Sequence, residues 1–136
     1  MTVGVLVDTS VWSLGLRRGP KNPEYSAELK KLILESRVKI IGPIRQEILS
    51  GISKRDQFID LKDKLSSFVD IPLVTEHYEL AAELSNECRI RGIQGSHVDF
   101  LISAVSKLEK LAIFTTDRDF DLYSTVVGLS LYKTIR

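Results

Sequence analysis

Two rhythms of apolar residues run along this chain. Val3-Gly4-Val5-Leu6-Val7, Val38 to Ile41 and Leu111-Ala112-Ile113-Phe114-Thr115 are short, almost unbroken apolar runs. Such runs suit strands buried on both faces. Elsewhere apolar residues recur every three or four positions, the spacing that lines one face of a helix. That spacing predicts a short helix over Val11–Leu16 capped by Thr9 or Ser10, and another over Glu24–Ser36 carrying Leu29, Leu32 and Ile33. A helix starts at Gly42-Pro43, where proline's missing N–H is no loss. A further one begins after Ser53 and carries Phe58, Leu61, Leu65 and Phe68. Thr75–Arg91 reads as helix ended by Gly92 and Gly95. Val98, Leu101, Ile102, Val105 and Leu108 mark one more, and Leu129–Tyr132 alternates as an edge strand does.

Strands separated by helices argue for an α/β fold. The expectation is a central parallel sheet of about four to five short strands with helices on both faces and right-handed crossovers. With 136 residues the chain suffices for one domain, 1–136, with a core of its own.

Composition changes this picture little. Hydrophobic residues make up 43% and charged ones 27%, an ordinary globular balance. No apolar stretch approaches the roughly 20 residues that cross a bilayer, and the N-terminus enters a strand pattern directly. A single cysteine, Cys88, excludes an internal disulfide framework and a thiolate metal cluster. These features predict a cytoplasmic protein with no membrane association. The net charge of +1 is not that of a protein coating nucleic acid through charge alone. Local charge matters more: Arg17, Arg18 and Lys21 share one loop.

Candidate chemistry lies in four acids, Asp8, Glu47, Asp99 and Asp117. Asp8 and Asp117 close apolar runs, and the carboxyl ends of parallel strands form the ligand crevice of an open sheet. Gathered carboxylates repel one another unless a cation or proton stands between them. Each acid also has a plainer reading. Asp8 and Asp117 can cap the helices that follow them, and Ser96-His97-Val98-Asp99 matches a capping box. Glu47 falls on or beside the stripe of Ile44, Ile48 and Ile52. That predicts a buried carboxylate in need of a partner. Asp119 is a further acid in the same segment as Asp117, whereas Asp121 reads as solvated.

Taken in order, these segments resemble one family. Asp8-Thr9-Ser10-Val11-Trp12 after a buried strand is similar to the opening of the PIN-domain family, within it the VapC-type toxin ribonucleases. Glu47 in Arg45-Gln46-Glu47-Ile48-Leu49 resembles the second acid, and Asp99 in Val98-Asp99-Phe100-Leu101-Ile102-Ser103-Ala104 the third. Thr115-x-Asp117-x-Asp119-Phe120 is similar to the closing motif, T-x-D-x-D-F. Ser103 departs mildly from the pattern, which more usually has alanine there. The resemblance implies a PIN-like three-layer sandwich and Mg²⁺- or Mn²⁺-dependent endoribonuclease activity through metal-activated water, leaving 5′-phosphate and 3′-hydroxyl ends. It makes Asp8, Glu47, Asp99 and Asp117 the catalytic metal ligands, with Asp119 as an auxiliary. It also implies a VapB-type antitoxin partner and a homodimer.

Other residues take supporting parts. Ser10 and Thr115 are candidates to orient ligands through their hydroxyls, a use that competes with ordinary strand-end hydrogen bonding. Arg118, Arg17 and Arg18 are candidate contacts to RNA phosphates, or else solvated surface. Phe58, Ile59, Leu61, Leu65 and Phe68 offer either a groove for a partner helix or part of the chain's own core. His77 and His97 read as packing and helix start, so paired-histidine ribonucleolysis is not expected. Rival readings are a phosphatase with Asp8 as nucleophile, which wants an acid where Ser10 stands, and a non-catalytic RNA-binding domain. Within the nucleases, DNA-directed flap cleavage and RNA processing outside a toxin system are the alternatives.

Overall fold

The computed structural model describes residues 2–16 and 23–133. Its strands are β1 (Val5–Val7), β2 (Val38–Lys39) and β3 (Ala112–Phe114). Its helices are α1 (Thr9–Leu16), α2 (Pro23–Leu34), α3 (Gly42–Ser50), α4 (Arg55–Leu65), α5 (Thr75–Ile90), α6 (His97–Glu109) and α7 (Asp119–Val127). The strands form one parallel sheet in the order β2-β1-β3. Val5 pairs with Val38 on one side and with Ala112 on the other.

Every residue of β1 and β3 is buried. Side chains alternate between the two faces of a strand, so both faces are covered. α1 packs on α2 and α3, and α5 packs on α6. The core joins Val5, Leu6 and Val7 to Leu32, Ile44, Ile102, Val105 and Ile113. No described helix is long and apolar enough to cross a membrane.

The α/β class agrees with the sequence pattern, but the strand count needs correction. Among the described residues the sheet has three strands. The outer segments shrink to single parallel bridges, Ile40 with Asp70 and Ile113 with Leu131. The first is held by Ile71 N–H on the Ile40 carbonyl, 2.9 Å. Pro72 follows at once and has no N–H to continue a ladder. Leu129–Tyr132 alternates as an edge strand would, yet it pairs only around Leu131.

Local chemistry explains the element ends. Pro43 stands in the first turn of α3. α5 stops before Gly92, whose φ of +78° suits glycine. The Ser96 hydroxyl caps α6 by accepting from Asp99 N–H at 3.0 Å. Trp12 is buried and donates its indole N–H to the Val7 carbonyl at 3.1 Å, with its ring edge-on to Phe68. Leu65 is buried in the core, Leu61 and Phe68 pack against it half-buried, and Ile59 is exposed.

Candidate functional site

β1 lies between the two strands that follow it in the chain, so the topology reverses direction there. The crevice at the carboxyl ends of β1 and β3 is where a doubly wound sheet offers a site. Asp8 stands there. Its N–H continues the sheet by donating to the Phe114 carbonyl at 2.9 Å, and its carbonyl accepts from Val11 and Trp12 N–H to start α1. Asp8 thus stands just before the helix, but its side chain does not cap it. The carboxylate does something else.

Asp8 is 7% exposed, and its Oδ2 accepts from Ser10 Oγ and from Thr115 Oγ1, each at 2.8 Å. Both hydroxyls also accept from the backbone just past β3. Ser10 Oγ takes Thr116 N–H at 3.1 Å, and Thr115 Oγ1 takes Asp117 N–H at 3.0 Å. A hydroxyl has one proton, and each already gives it to Asp8. The 3.3 Å between the two hydroxyls is thus close approach rather than a third bond. The result is a bracket tying the end of β1 to the end of β3.

Asp117 is half-buried, and its Oδ1 accepts from Asp119 N–H at 2.9 Å, so it does cap the start of α7. Asp119 and Arg118 are exposed beside it, and Asp121, also exposed, faces Lys133 at 3.8 Å. Arg17 and Arg18 lie outside the described residues. A cavity of about 430 Å³ opens next to Asp117, lined among others by Tyr25, Thr115, Arg118, Tyr132 and Lys133.

Glu47 corrects an expectation. It is exposed, not buried. It follows Ile44 by three positions and precedes Ile48 by one, so it sits on the flank of the α3 stripe, and that flank meets α1. There Oε1 accepts from Thr9 Oγ1 at 2.8 Å, one residue from Asp8.

Asp99 is half-buried in the first turn of α6. Its backbone carbonyl accepts from Ser103 Oγ at 2.9 Å, and its Oδ2 accepts from Tyr123 Oη at 2.6 Å. Burial pushes its carboxyl above the usual range, and the bonds from Tyr123 and Ser96 oppose that. The charges of Asp117 and Asp8 push it further up. Three of the acids therefore share one field, although they come from the ends of β1 and β3 and the start of α6. Tyr123 was absent from the sequence reading. The signal was there: Phe120 and Tyr123 lie three apart on α7, and a phenol on a core-facing position needs a hydrogen-bond partner.

The donor set is all carboxylate, the hard oxygen chemistry that Mg²⁺ and Mn²⁺ take. Among the described residues no three Asp, Glu, His or Cys side chains already close on one point. Mg²⁺ keeps several of its own waters and needs few direct protein ligands, so an open group of acids fits it. His77 plays no part here. It is buried elsewhere, accepting from Val74 N–H on Nδ1 at 3.0 Å and meeting Glu109 through Nε2 at 2.9 Å.

A family model described as PIN domain matches residues 5–125. No curated protein matches the sequence. Among solved structures the chain is similar to FitAcB from Neisseria gonorrhoeae, at 23% identity and a TM-score of 0.78, covering 96% of this chain and 97% of that one. It is also similar to DNA-bound VapBC from Salmonella typhimurium, at 14% identity and 0.79, covering 98% and 100%. A third is VapBC-5 from Mycobacterium tuberculosis, a member of the VapBC family of toxin–antitoxin systems, at 17% and 0.66, covering 96% and 97%. At these identities the likeness is one of fold.

Proposed function

The chain belongs to the PIN domain family, and on that premise we propose that it is a divalent-metal-dependent endoribonuclease, the toxin of a VapBC-type pair. The observation that carries this reading is the bracket around Asp8, which joins a buried carboxylate to the segment bearing Asp117. Asp99 adds a third acid within the same field.

When bound, Mg²⁺ or Mn²⁺ supplies a water acidic enough to lose a proton near neutral pH and positive charge to set against the phosphodiester. Asp8, Asp99, Asp117 and Glu47 hold that ion, some through water, with Asp119 as an auxiliary. Ser10 and Thr115 both engage Oδ2 of Asp8, which leaves Oδ1 for the ion. Arg118, exposed beside Asp117, meets backbone phosphates by charge-assisted hydrogen bonds; Arg17 and Arg18 are further phosphate-binding candidates from the sequence. The cavity past Asp117 gives the RNA strand a path. A VapB-type antitoxin masks the same crevice, and the toxin pairs as a homodimer. The fold shared with VapBC-5, a member of a family of toxin–antitoxin systems, supports this assignment.

The test is cleavage of single-stranded RNA by the purified chain with Mg²⁺, with Mn²⁺ and with chelator. We expect cleavage only with the ion, 5′-phosphate and 3′-hydroxyl ends, and loss to background in Asp8→Asn. Cleavage that survives chelation, or an Asp8→Asn protein of full activity, overturns the reading. The toxin assignment is tested by expression in cells with and without the neighbouring gene. Growth arrest relieved by a small DNA-binding partner supports it, and unaffected growth argues for RNA processing instead.

A further inference from the structure

We propose that Tyr123 is a positioning residue, a buried strut that fixes the carboxylate of Asp99 in the orientation in which it receives the cation; this rests on the nuclease reading above. The bond is short and direct, Tyr123 Oη to Asp99 Oδ2 at 2.6 Å, and it joins α7 to the first turn of α6. Tyr123 is 1% exposed. Its ring packs against both Phe100 and Phe120, with centroids at 4.9 Å and 5.2 Å. It therefore cannot swing to follow Asp99; Asp99 must come to it.

A second observation shows that space is kept for this hydroxyl. A Cβ built on Gly95 would lie 2.3 Å from Tyr123 Oη and 2.7 Å from Cζ. Since the ring is buried in a close-packed core, it has little room to retreat. Gly95 has an ordinary backbone conformation, because only Gly92 and Gly128 have positive φ among the described glycines. Its lack of a side chain thus serves the seat of the phenol rather than the turn.

The need for a strut follows from the charges. Asp8 and Asp117 repel Asp99, and a carboxylate free to rotate would turn away from them. A donor on one oxygen holds it in place and leaves the other for the cation, as outer partners of metal ligands do. A phenol keeps its proton near neutral pH, so Tyr123 Oη is the donor in its bond to Asp99. Tyr123 also rides on the helix that Asp117 caps, so the strut sets the spacing between the third acid and the fourth.

The experiment is calorimetric titration of Mn²⁺ into the metal-free protein, beside melting curves in chelator. Tyr123→Phe removes the hydroxyl and keeps the ring. We expect Mn²⁺ affinity to fall about 10- to 100-fold while the variant stays folded. Gly95→Ala keeps the hydroxyl and displaces it, and should weaken Mn²⁺ binding in the same way. A merely structural tyrosine would shift the melting curve and leave affinity untouched. Wild-type affinity within about twofold in a folded Tyr123→Phe, or in a folded Gly95→Ala should Tyr123→Phe not fold, overturns the inference and leaves the nuclease reading standing. A wild-type protein that binds no Mn²⁺ overturns both. Failure of both variants to fold assigns Tyr123 to stability and overturns the positioning role.

Discussion

Thr115→Val is the most direct probe of the bracket at the strand ends. The change keeps the branched shape and removes the hydroxyl. Two bonds go with it: the donation to Asp8 Oδ2 at 2.8 Å and the acceptance from Asp117 N–H at 3.0 Å. A bond to a carboxylate contributes about 1.5–3 kcal/mol and a neutral one about 0.5–1.5. Thr115 is only half-buried, so water recovers part of the second term. The expected loss is about 2 kcal/mol, or roughly 8 °C in melting temperature at about 4 °C per kcal/mol for a chain of this size. The assay is thermal and urea unfolding of the metal-free protein. Ser10→Ala completes a cycle, because Ser10 donates to the same oxygen. Two donors on one atom compensate for each other when either is lost, so the double variant should deviate from additivity by at least about 0.5 kcal/mol. A loss below about 0.5 kcal/mol in Thr115→Val, or strict additivity, would refute the bracket.

Two further outcomes follow from other parts of the molecule. Arg45 donates Nη1 to the Leu65 carbonyl at 2.9 Å, Nη2 to the Phe68 carbonyl and Nε to Asp70 Oδ1 at 3.0 Å, so Arg45→Met should lower stability by about 2 kcal/mol. The Asp70 pair is partly solvated and adds little to that figure; an unchanged urea midpoint would show that the clasp is idle. Asp99 holds its proton to higher pH in the folded protein than in the unfolded chain, chiefly because it is buried. Its contribution to stability is therefore present at low pH and falls as pH rises past the unfolded value of about 3.9 and through the raised folded one. Metal-free Asp99→Asn should then melt above wild type at pH 7, with the gap closing toward pH 3, and a wild type that melts higher at pH 7 contradicts this.

Hydrophobic rhythm carried most of the fold. Unbroken apolar runs mark β1 and β3 because both faces of those strands are covered, and the stripes at three- and four-residue spacing mark the helices. The outer strands were overcounted because alternation at Leu129–Tyr132 describes a surface and not a ladder. Asp8 and Asp117 were legible from where they stand, at the ends of buried runs. Glu47 was placed near the site but given the wrong burial, since period alone cannot say whether the edge of a stripe faces core or cleft. Tyr123 was missed for a related reason. Its spacing tells that it points inward, but its partner is 24 positions away and only the folded chain brings them together.

The placement of β1 at the centre of the sheet has a consequence for biosynthesis. Its pairing with β3, and the hydroxyl that orients Asp8, come from a stretch 107 positions downstream. Contacts this distant in sequence slow folding. On a ribosome adding roughly 5–20 residues per second, Asp8 emerges about 5–20 s before Thr115. A nascent chain therefore carries its first acid without the bracket that holds it, and any competence for chemistry waits until Thr115 and Asp117 are translated.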